Sequence, residues 1–166
     1  GLAHDLGNPP FGHQGEISMQ QWFEAGNAGE GIDIDFLKFD GNAQTFRLLT
    51  RLQVLNDQFG LNLTVGTLAA LIKYPSVYGS TNKGGFKKFG VFKSEEHIVN
   101  EVWEHTGLAE GIRHPLAYVM EACDDIAYSV IDAEDTVKKG YASFYDLMDF
   151  LESFDRSDSV ISSVVK

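Results

Sequence analysis

The sequence has little that would tie the chain to a membrane, a disulfide framework or nucleic acid. No apolar run approaches the roughly 18–20 residues that a membrane-spanning helix needs, and no signal peptide is visible. Cys123 is the only cysteine, which excludes an intramolecular disulfide and is typical of a reducing compartment, so we expect a cytoplasmic protein. Basic residues are scarce as well: 13 Lys and Arg stand against 24 Asp and Glu, a net charge of −11. A sequence-independent nucleic-acid binder, whose affinity rests on positive charge, is therefore not indicated.

The composition describes an ordinary globular domain. The 166 residues are 43% hydrophobic and 22% charged, the balance of a folded protein rather than a disordered one. A chain of this length can bury a hydrophobic core. We place the domain at residues 1–155 and interpret residues 156–166, which are Ser-rich, as an end without a core pattern.

The most informative stretch is residues 1–16, where two histidines, an aspartate and a glutamate surround an Asn-Pro-Pro break. The adjacent His4 and Asp5 offer a nitrogen and a carboxylate oxygen, a ligand pair suited to divalent ions. His13 and Glu16 share a face if their segment is helical, and such a pair can move protons near neutral pH. Proline forbids a continuous helix, so the stretch predicts the end of one helix, a rigid turn and a new helix. The alternative is a helix–loop–helix with a few polar residues at its caps.

Spacing and end signals predict helices along the rest of the chain, and therefore an all-α fold. Thr64 and Ser94 are candidate N-caps, whereas Gly107 and Gly140 are stop signals. The alternating residues 32–39 are interpreted as an irregular lead-in rather than a strand. The predicted helices cover residues 17–25, 42–58, 63–74, 94–107, 115–139 and 142–154.

One predicted helix carries an unusual stripe of polar residues. Asp124, Tyr128 and Asp132 recur every four residues, so they lie along one side of the helix, surrounded by apolar residues. Carboxylates are expensive to bury on such a surface unless they are paired or coordinated, and a metal ion would supply that partner.

Three segments of the sequence resemble a known family. AHDLGNPPFGHQGE is similar to the motif of the HD-domain phosphohydrolases, and most closely to the dGTPase-like deoxynucleoside triphosphate triphosphohydrolases. FDGNAQTFRLL and EACDDIAYSVIDAED resemble further segments of that family. The resemblance implies an all-α HD-domain helical bundle that hydrolyses a deoxynucleoside triphosphate, dGTP or a broader range, to deoxynucleoside and inorganic triphosphate.

The resemblance also implies the metal ligands and the catalytic pair. His4, Asp5 and Asp124 would hold a divalent ion (Mn²⁺, Mg²⁺ or Fe²⁺), and His13, oriented by Glu16, would be the general acid or base. The family pattern has a further histidine ligand upstream of the His-Asp pair, and no histidine precedes His4. We therefore expect the sequence to be a fragment of a longer protein, with an incomplete HD domain.

Five residues are candidates for substrate binding. The resemblance implies that Lys73 contacts the triphosphate, and that Tyr128 and Asp132 contact the deoxyribose. Asn42 or Arg47 would reach a phosphate or the sugar. The alternatives are that Arg47 forms a salt bridge and that Lys73 complements a helix dipole at its C-terminal end. The Gly- and Lys-rich residues 78–92 are either a loop that closes over a polyphosphate or a solvated surface loop.

Two other functions stay open. One is another HD-type phosphohydrolase: a nucleotidase, a phosphodiesterase or a single-strand nuclease. The other is a non-catalytic helical regulatory subunit, against which the presence of His13, Glu16 and Asp124 counts. Family members are often multimers, so we also expect a homo-oligomer.

Overall fold

The computed structural model describes residues 1–26, 29–53, 59–81, 84–154, 158, 159 and 163. Within these residues the regular structure is helical, and the only β pairing is an isolated bridge between Val77 and Val91. The prediction of an all-α fold is therefore confirmed. The α-helices are α1 (Gly12–Glu24), α2 (Ile34–Leu37), α3 (Gly41–Arg47), α4 (Val65–Leu71), α5 (Glu96–Thr106), α6 (Pro115–Lys138) and α7 (Phe144–Phe154).

The chain forms two compact units, Gly1–Glu121 and Ala122–Lys166. The first unit holds α1 to α5 and the beginning of α6, and its core lies where α3, α4 and α5 pack together. Fully burying a large apolar side chain stabilises a fold by about 1.5–3 kcal/mol, so this cluster supplies the main driving force for the unit. Its buried members are Phe46, Leu49, Leu68, Ala69, Ile72, Val77, Val91, Val99, Val102 and Trp103.

Several predicted helix ends are confirmed by their caps. Thr64 precedes α4, and its hydroxyl accepts a hydrogen bond from the Thr67 N–H at 3.3 Å. Gly107 and Gly140 follow α5 and α6 with φ values of 69° and 75°, in the left-handed region that glycine adopts without strain.

Ser94, however, is not the N-cap that the sequence predicted. A 3₁₀ turn, Lys93–Glu95, precedes α5, and the Ser94 N–H donates to Asp35 Oδ2 at 3.0 Å. The carboxylate from a distant segment thus takes the place of a local cap. That carboxylate belongs to α2, a single helical turn inside the predicted irregular lead-in, which is not a strand.

Helix α3 continues into a π-helical turn, Leu48–Leu52, instead of the single regular helix that was predicted over residues 42–58. The Thr50 hydroxyl donates to the Phe46 carbonyl oxygen at 2.7 Å. Within this turn Leu49 is buried, whereas Leu52 is 55% exposed. Residues 54–58 of the predicted helix lie outside the described part of the chain.

The second unit contains most of α6, which is continuous over 24 residues as predicted, and α7. Helix α7 starts after Ser143, whose hydroxyl accepts from the Asp146 N–H at 3.1 Å. Phe144, the first residue of α7, is 56% exposed. Most of the Ser-rich end, residues 156–166, lies outside the described residues. Among those described, no helix combines the length and the apolar character needed to cross a bilayer.

Candidate active site

The sequence predicted that His4 and Asp5 lie at the end of a helix. In the structure they lie instead in a run of tight turns. The His4 N–H donates to the Gly1 carbonyl and the Asn8 N–H donates to the Asp5 carbonyl, both at 3.1 Å and both three residues apart. The proline at position 9 has no N–H to extend such a run into a helix. The turns therefore present the two side chains next to each other.

Glycine at position 7 brings these turns against α3. The Gly7 N–H donates to Thr45 Oγ1 at 2.9 Å. A Cβ atom on Gly7 would lie 2.2 Å from the Gly41 carbonyl oxygen and 2.2 Å from the Thr45 nitrogen, so no other residue fits this close approach of two backbones.

The His4 and Asp5 side chains are arranged as metal ligands need to be. His4 Nδ1 lies 2.5 Å from the Gly1 carbonyl oxygen, and since a carbonyl only accepts, Nδ1 carries the proton. His4 Nε2 lies 3.2 Å from Asp5 Oδ2. Two ligands at right angles on an ion with bonds of about 2.1 Å are about 3 Å apart, so the pair fits two neighbouring positions around one divalent ion. The Nδ1 hydrogen bond is the kind of support that orients metal-ligating histidines.

His13 and Glu16 lie in the first two turns of α1, on one face of the helix as their spacing predicted. His13 Nδ1 lies 3.3 Å from Glu16 Oε2, and Glu16 Oε1 accepts from the Gly41 N–H at 2.7 Å. Glu16 is buried, whereas the His13 side chain is 82% exposed. The carboxylate is thus held by a backbone N–H at Oε1, while the imidazole beside its Oε2 is exposed. A positive φ of 67° at Phe11, uncommon for a bulky residue, marks a strained turn immediately before this pair.

A cleft of about 370 Å³ beside His13 was not predicted from the sequence. Its volume lies within the range of small-molecule sites. The Gly- and Lys-rich loop forms one wall of the cleft, and the segment before α3 forms another. Lys83 of that loop lies outside the described residues. The lining residues are His13, Glu16, Ile17, Gln20, Lys38, Asp40, Lys87, Lys88 and Phe89.

Asp40 is a buried carboxylate in this cleft that sequence analysis missed. It caps α3, and its Oδ1 accepts from the backbone N–H of Asn42 at 2.8 Å and from Asn42 Nδ2 at 3.0 Å. Burial raises the pKa of Asp40, the nearby Glu16 carboxylate raises it further, and the Asn42 hydrogen bonds and the Lys88 charge oppose the rise. An aspartate directly before a helix start is a cap signal, and that signal alone would have found it.

Replacing Asp40 with asparagine is expected to remove a pH dependence of stability. Asparagine caps a helix as well as aspartate does, so α3 is retained. In the native protein the raised pKa keeps Asp40 protonated above the pH at which the unfolded chain loses this proton. The free energy of unfolding of the wild type should therefore fall, relative to that of Asp40→Asn, as the pH rises from about 4 through the raised pKa. The total fall is about 1.4 kcal/mol for each unit by which the pKa of Asp40 is raised in the folded protein. Thermal melts of both proteins between pH 3.5 and 7 test this, and a constant difference would contradict it.

Arg47 lies in a buried ion-pair network. Its Nη2 lies 3.1 Å from Asp35 Oδ2, its Nε lies 3.0 Å from Glu95 Oε2, and its guanidinium carbon lies 4.2 Å from the centre of the Phe92 ring. The Asp35 and Glu95 side chains are 2% and 5% exposed. This geometry favours the salt-bridge alternative, although the pair is buried rather than on an exposed face; a substrate contact by Arg47 stays a prediction.

Lys73 lies two residues beyond the end of α4 and contacts the start of α6. Its Nζ is 3.2 Å from Glu121 Oε1, while Arg113 Nη1 is 2.6 Å from Glu121 Oε2 and Arg113 Nε donates to the Lys73 carbonyl at 2.6 Å. Partial burial alone would raise the pKa of Glu121, but the hydrogen bond and charge of Lys73, together with Arg113, lower it. Lys73 is thus held in a charged cluster at the surface of the first unit.

Asp124, Tyr128 and Asp132 lie in the second unit, on the uninterrupted part of α6. Their spacing of four residues in a regular helix puts them along one side, as predicted. Asp124 is half-buried, and Tyr128 is 59% exposed. This side of α6 therefore presents the exposed ring of Tyr128 between two carboxylates that can bind a cation.

Comparisons with known proteins agree with the resemblance. A protein of Listeria monocytogenes named deoxyguanosinetriphosphate triphosphohydrolase-like protein is 40% identical over 98% of this chain. Proteins of the same name from Synechocystis sp. and Pseudomonas aeruginosa are 39% identical over 92% and 43% identical over 81% of it. The chain spans only 38%, 40% and 33% of the lengths of these three relatives. No protein-family model matches it.

Proposed function

Because the chain is similar along nearly its whole length to the deoxyguanosinetriphosphate triphosphohydrolase-like proteins, we propose that it carries the catalytic residues of a deoxynucleoside triphosphate triphosphohydrolase. The reaction is hydrolysis of dGTP, or of deoxynucleoside triphosphates more broadly, to the deoxynucleoside and inorganic triphosphate. The observation that carries the proposal is the His13–Glu16 pair: a buried carboxylate, held by a backbone N–H, lies 3.3 Å from an exposed imidazole at the edge of a cleft. Residues 1–155 would be the part of an HD-type domain present here.

We assign the metal site of this reaction to His4, Asp5 and Asp124. The facing atoms of His4 and Asp5 support two of these positions, and the family resemblance of the α6 segment supports the third. A divalent ion held there would polarise the α-phosphate and lower the pKa of a water molecule. Mn²⁺, Mg²⁺ and Fe²⁺ all suit a site of imidazole and carboxylate ligands.

His13 is the general acid or base in this proposal. A proton on Nδ1 that faces Glu16 leaves Nε2 to exchange a proton with the substrate. In that position His13 either removes a proton from the attacking water or protonates the departing 5′-oxygen of the deoxynucleoside. Acid–base catalysis of this kind contributes about 10²–10⁴-fold to a rate.

The substrate contacts are assigned by the same resemblance. Lys73 would offset the charge of the triphosphate, and Asn42 would contact a phosphate or the sugar. Tyr128 and Asp132 would contact the deoxyribose, with Tyr128 packed where a 2′-hydroxyl group would clash. The expectations of a homo-oligomer and of a cytoplasmic location stay predictions.

A product assay tests the proposed function. The full-length protein is incubated with each of the four deoxynucleoside triphosphates and Mn²⁺ or Mg²⁺, and the products are resolved by ion-exchange chromatography. Deoxynucleoside together with intact inorganic triphosphate is the expected result. Hydrolysis of only monophosphates, phosphodiesters or single-stranded DNA would instead identify another HD-type phosphohydrolase, and metal-dependent turnover of none of them would favour a regulatory subunit.

A further inference from the structure

Helix α3 contacts both halves of the proposed site within a single turn. At its N-terminus the Gly41 N–H donates to Glu16 Oε1 at 2.7 Å. One turn later, Thr45 Oγ1 accepts from the Gly7 N–H at 2.9 Å. Gly41, which bonds the acid–base pair, and Thr45, which bonds the His4–Asp5 turn, are thus four positions apart on one side of one helix.

The Thr45 hydroxyl is placed to hold the backbone of a metal ligand. It lies 2.9 Å from the His4 carbonyl oxygen and 2.9 Å from the Gly41 carbonyl oxygen, so its proton is donated between these two acceptors. Thr45 is 3% exposed, so these hydrogen bonds are shielded from solvent. A buried N–H left without its acceptor is destabilising, and the turn would have to move to relieve it.

We infer that α3 positions the catalytic centre and that Thr45 is the positioning residue for the metal-ligand turn, because its hydroxyl bonds the backbone at the His4 carbonyl and at the Gly7 N–H, on either side of Asp5. The inference rests on the proposed function, since it takes His4 and Asp5 as metal ligands. Thr45 itself touches neither metal nor substrate. It acts through the Gly7 N–H and the His4 carbonyl, which set the direction of the His4 and Asp5 side chains.

Removing a support of this kind weakens a metal site without removing a ligand. Supporting residues outside the ligand set typically contribute 10–100-fold to metal affinity or activity. Valine has nearly the shape of threonine but no hydroxyl, so Thr45→Val removes the hydrogen bonds to Gly7, His4 and Gly41 and leaves the packing. Serine keeps the hydroxyl and loses only the methyl group, so Thr45→Ser is the matched control.

The test is the Mn²⁺ affinity of the full-length protein at neutral pH, measured by calorimetry and by the loss of the free-ion electron paramagnetic resonance signal. Thr45→Val is expected to raise the Kd for Mn²⁺ by about 10–100-fold. Thr45→Ser should stay within a few-fold of the wild type. Hydrogen exchange at the Gly7 amide, measured without metal, should be faster in Thr45→Val and nearly unchanged in Thr45→Ser.

The outcomes separate the inference from the proposed function. Equal Mn²⁺ affinity in the wild type and Thr45→Val overturns the positioning role and leaves the proposed function intact. A wild type that binds no Mn²⁺ overturns the proposed metal ligands, and the positioning role with them. If Thr45→Val does not fold, Thr45→Ala is compared with Thr45→Ser: weaker binding only by the alanine variant supports the inference, and equal binding overturns it.

Discussion

Replacing His13 with alanine is expected to lower kcat for deoxynucleoside triphosphate hydrolysis by about 10²–10⁴-fold, the contribution typical of a general acid or base. The imidazole is the only exposed part of the His13–Glu16 pair, so its removal leaves the buried carboxylate with no group through which to act on the substrate. Glu16→Gln should lower kcat less, because His13 keeps its place but loses the carboxylate that orients it. Steady-state kinetics at saturating substrate measure both effects.

Two controls make the His13 result specific. His105 lies exposed on α5, where its Nδ1 is 2.8 Å from the Glu101 carbonyl oxygen, and His105→Ala should leave kcat unchanged. Because His13 is not among the proposed ligands, His13→Ala should bind Mn²⁺ with the wild-type affinity. A His13→Ala protein that is inactive because it has lost Mn²⁺ would make His13 a metal ligand and contradict the proposed role.

Replacing Arg47 with methionine is expected to lower the free energy of unfolding by about 3–5 kcal/mol, the usual effect of removing one partner from a buried ion pair. Asp35 and Glu95 would then be left as buried carboxylates without their cation. Methionine retains much of the apolar stem of arginine, so lost packing contributes little. Urea unfolding of the two proteins measures the difference through the midpoint and slope of the transition.

Arg51 supplies the matched control for Arg47. It lies four residues later, is exposed, and contacts His97 Nε2 at 2.6 Å at the surface. Arg51→Met should therefore change the free energy of unfolding by less than about 1 kcal/mol. If Arg47→Met is as stable as the wild type but its KM for the substrate is strongly raised, Arg47 binds substrate and the ion-pair interpretation is wrong.

Local signals in the sequence predicted the parts of the structure that local forces determine. The Thr64 cap, the glycine stops at positions 107 and 140, and the continuous α6 all depend on residues within one turn of each other. The placement of His13 and Glu16 on one helical face follows in the same way from their spacing. Such features can be read directly because the interacting atoms are neighbours along the chain.

The contacts that build the candidate site join residues far apart in the sequence, and no local pattern reports them. Thr45 bonds the turn around His4 across 41 positions, and Gly41 bonds Glu16 across 25. The failure of Ser94 as a cap has the same origin, since Asp35 reaches its backbone across 59 positions. The periodicity that predicted α3 therefore could not show that its polar side supports the site.

Hydrolysis of dGTP in water enriched in oxygen-18 tests the central claim most directly. If water attacks the α-phosphorus and the bond from that phosphorus to the 5′-oxygen breaks, one labelled oxygen enters the inorganic triphosphate and the deoxyguanosine stays unlabelled. Mass spectrometry of the products of the wild type, with Mn²⁺ present and with His13→Ala as the control, is expected to give this result for the wild type. Deoxyguanosine monophosphate with pyrophosphate, or label in the deoxyguanosine, would contradict the account.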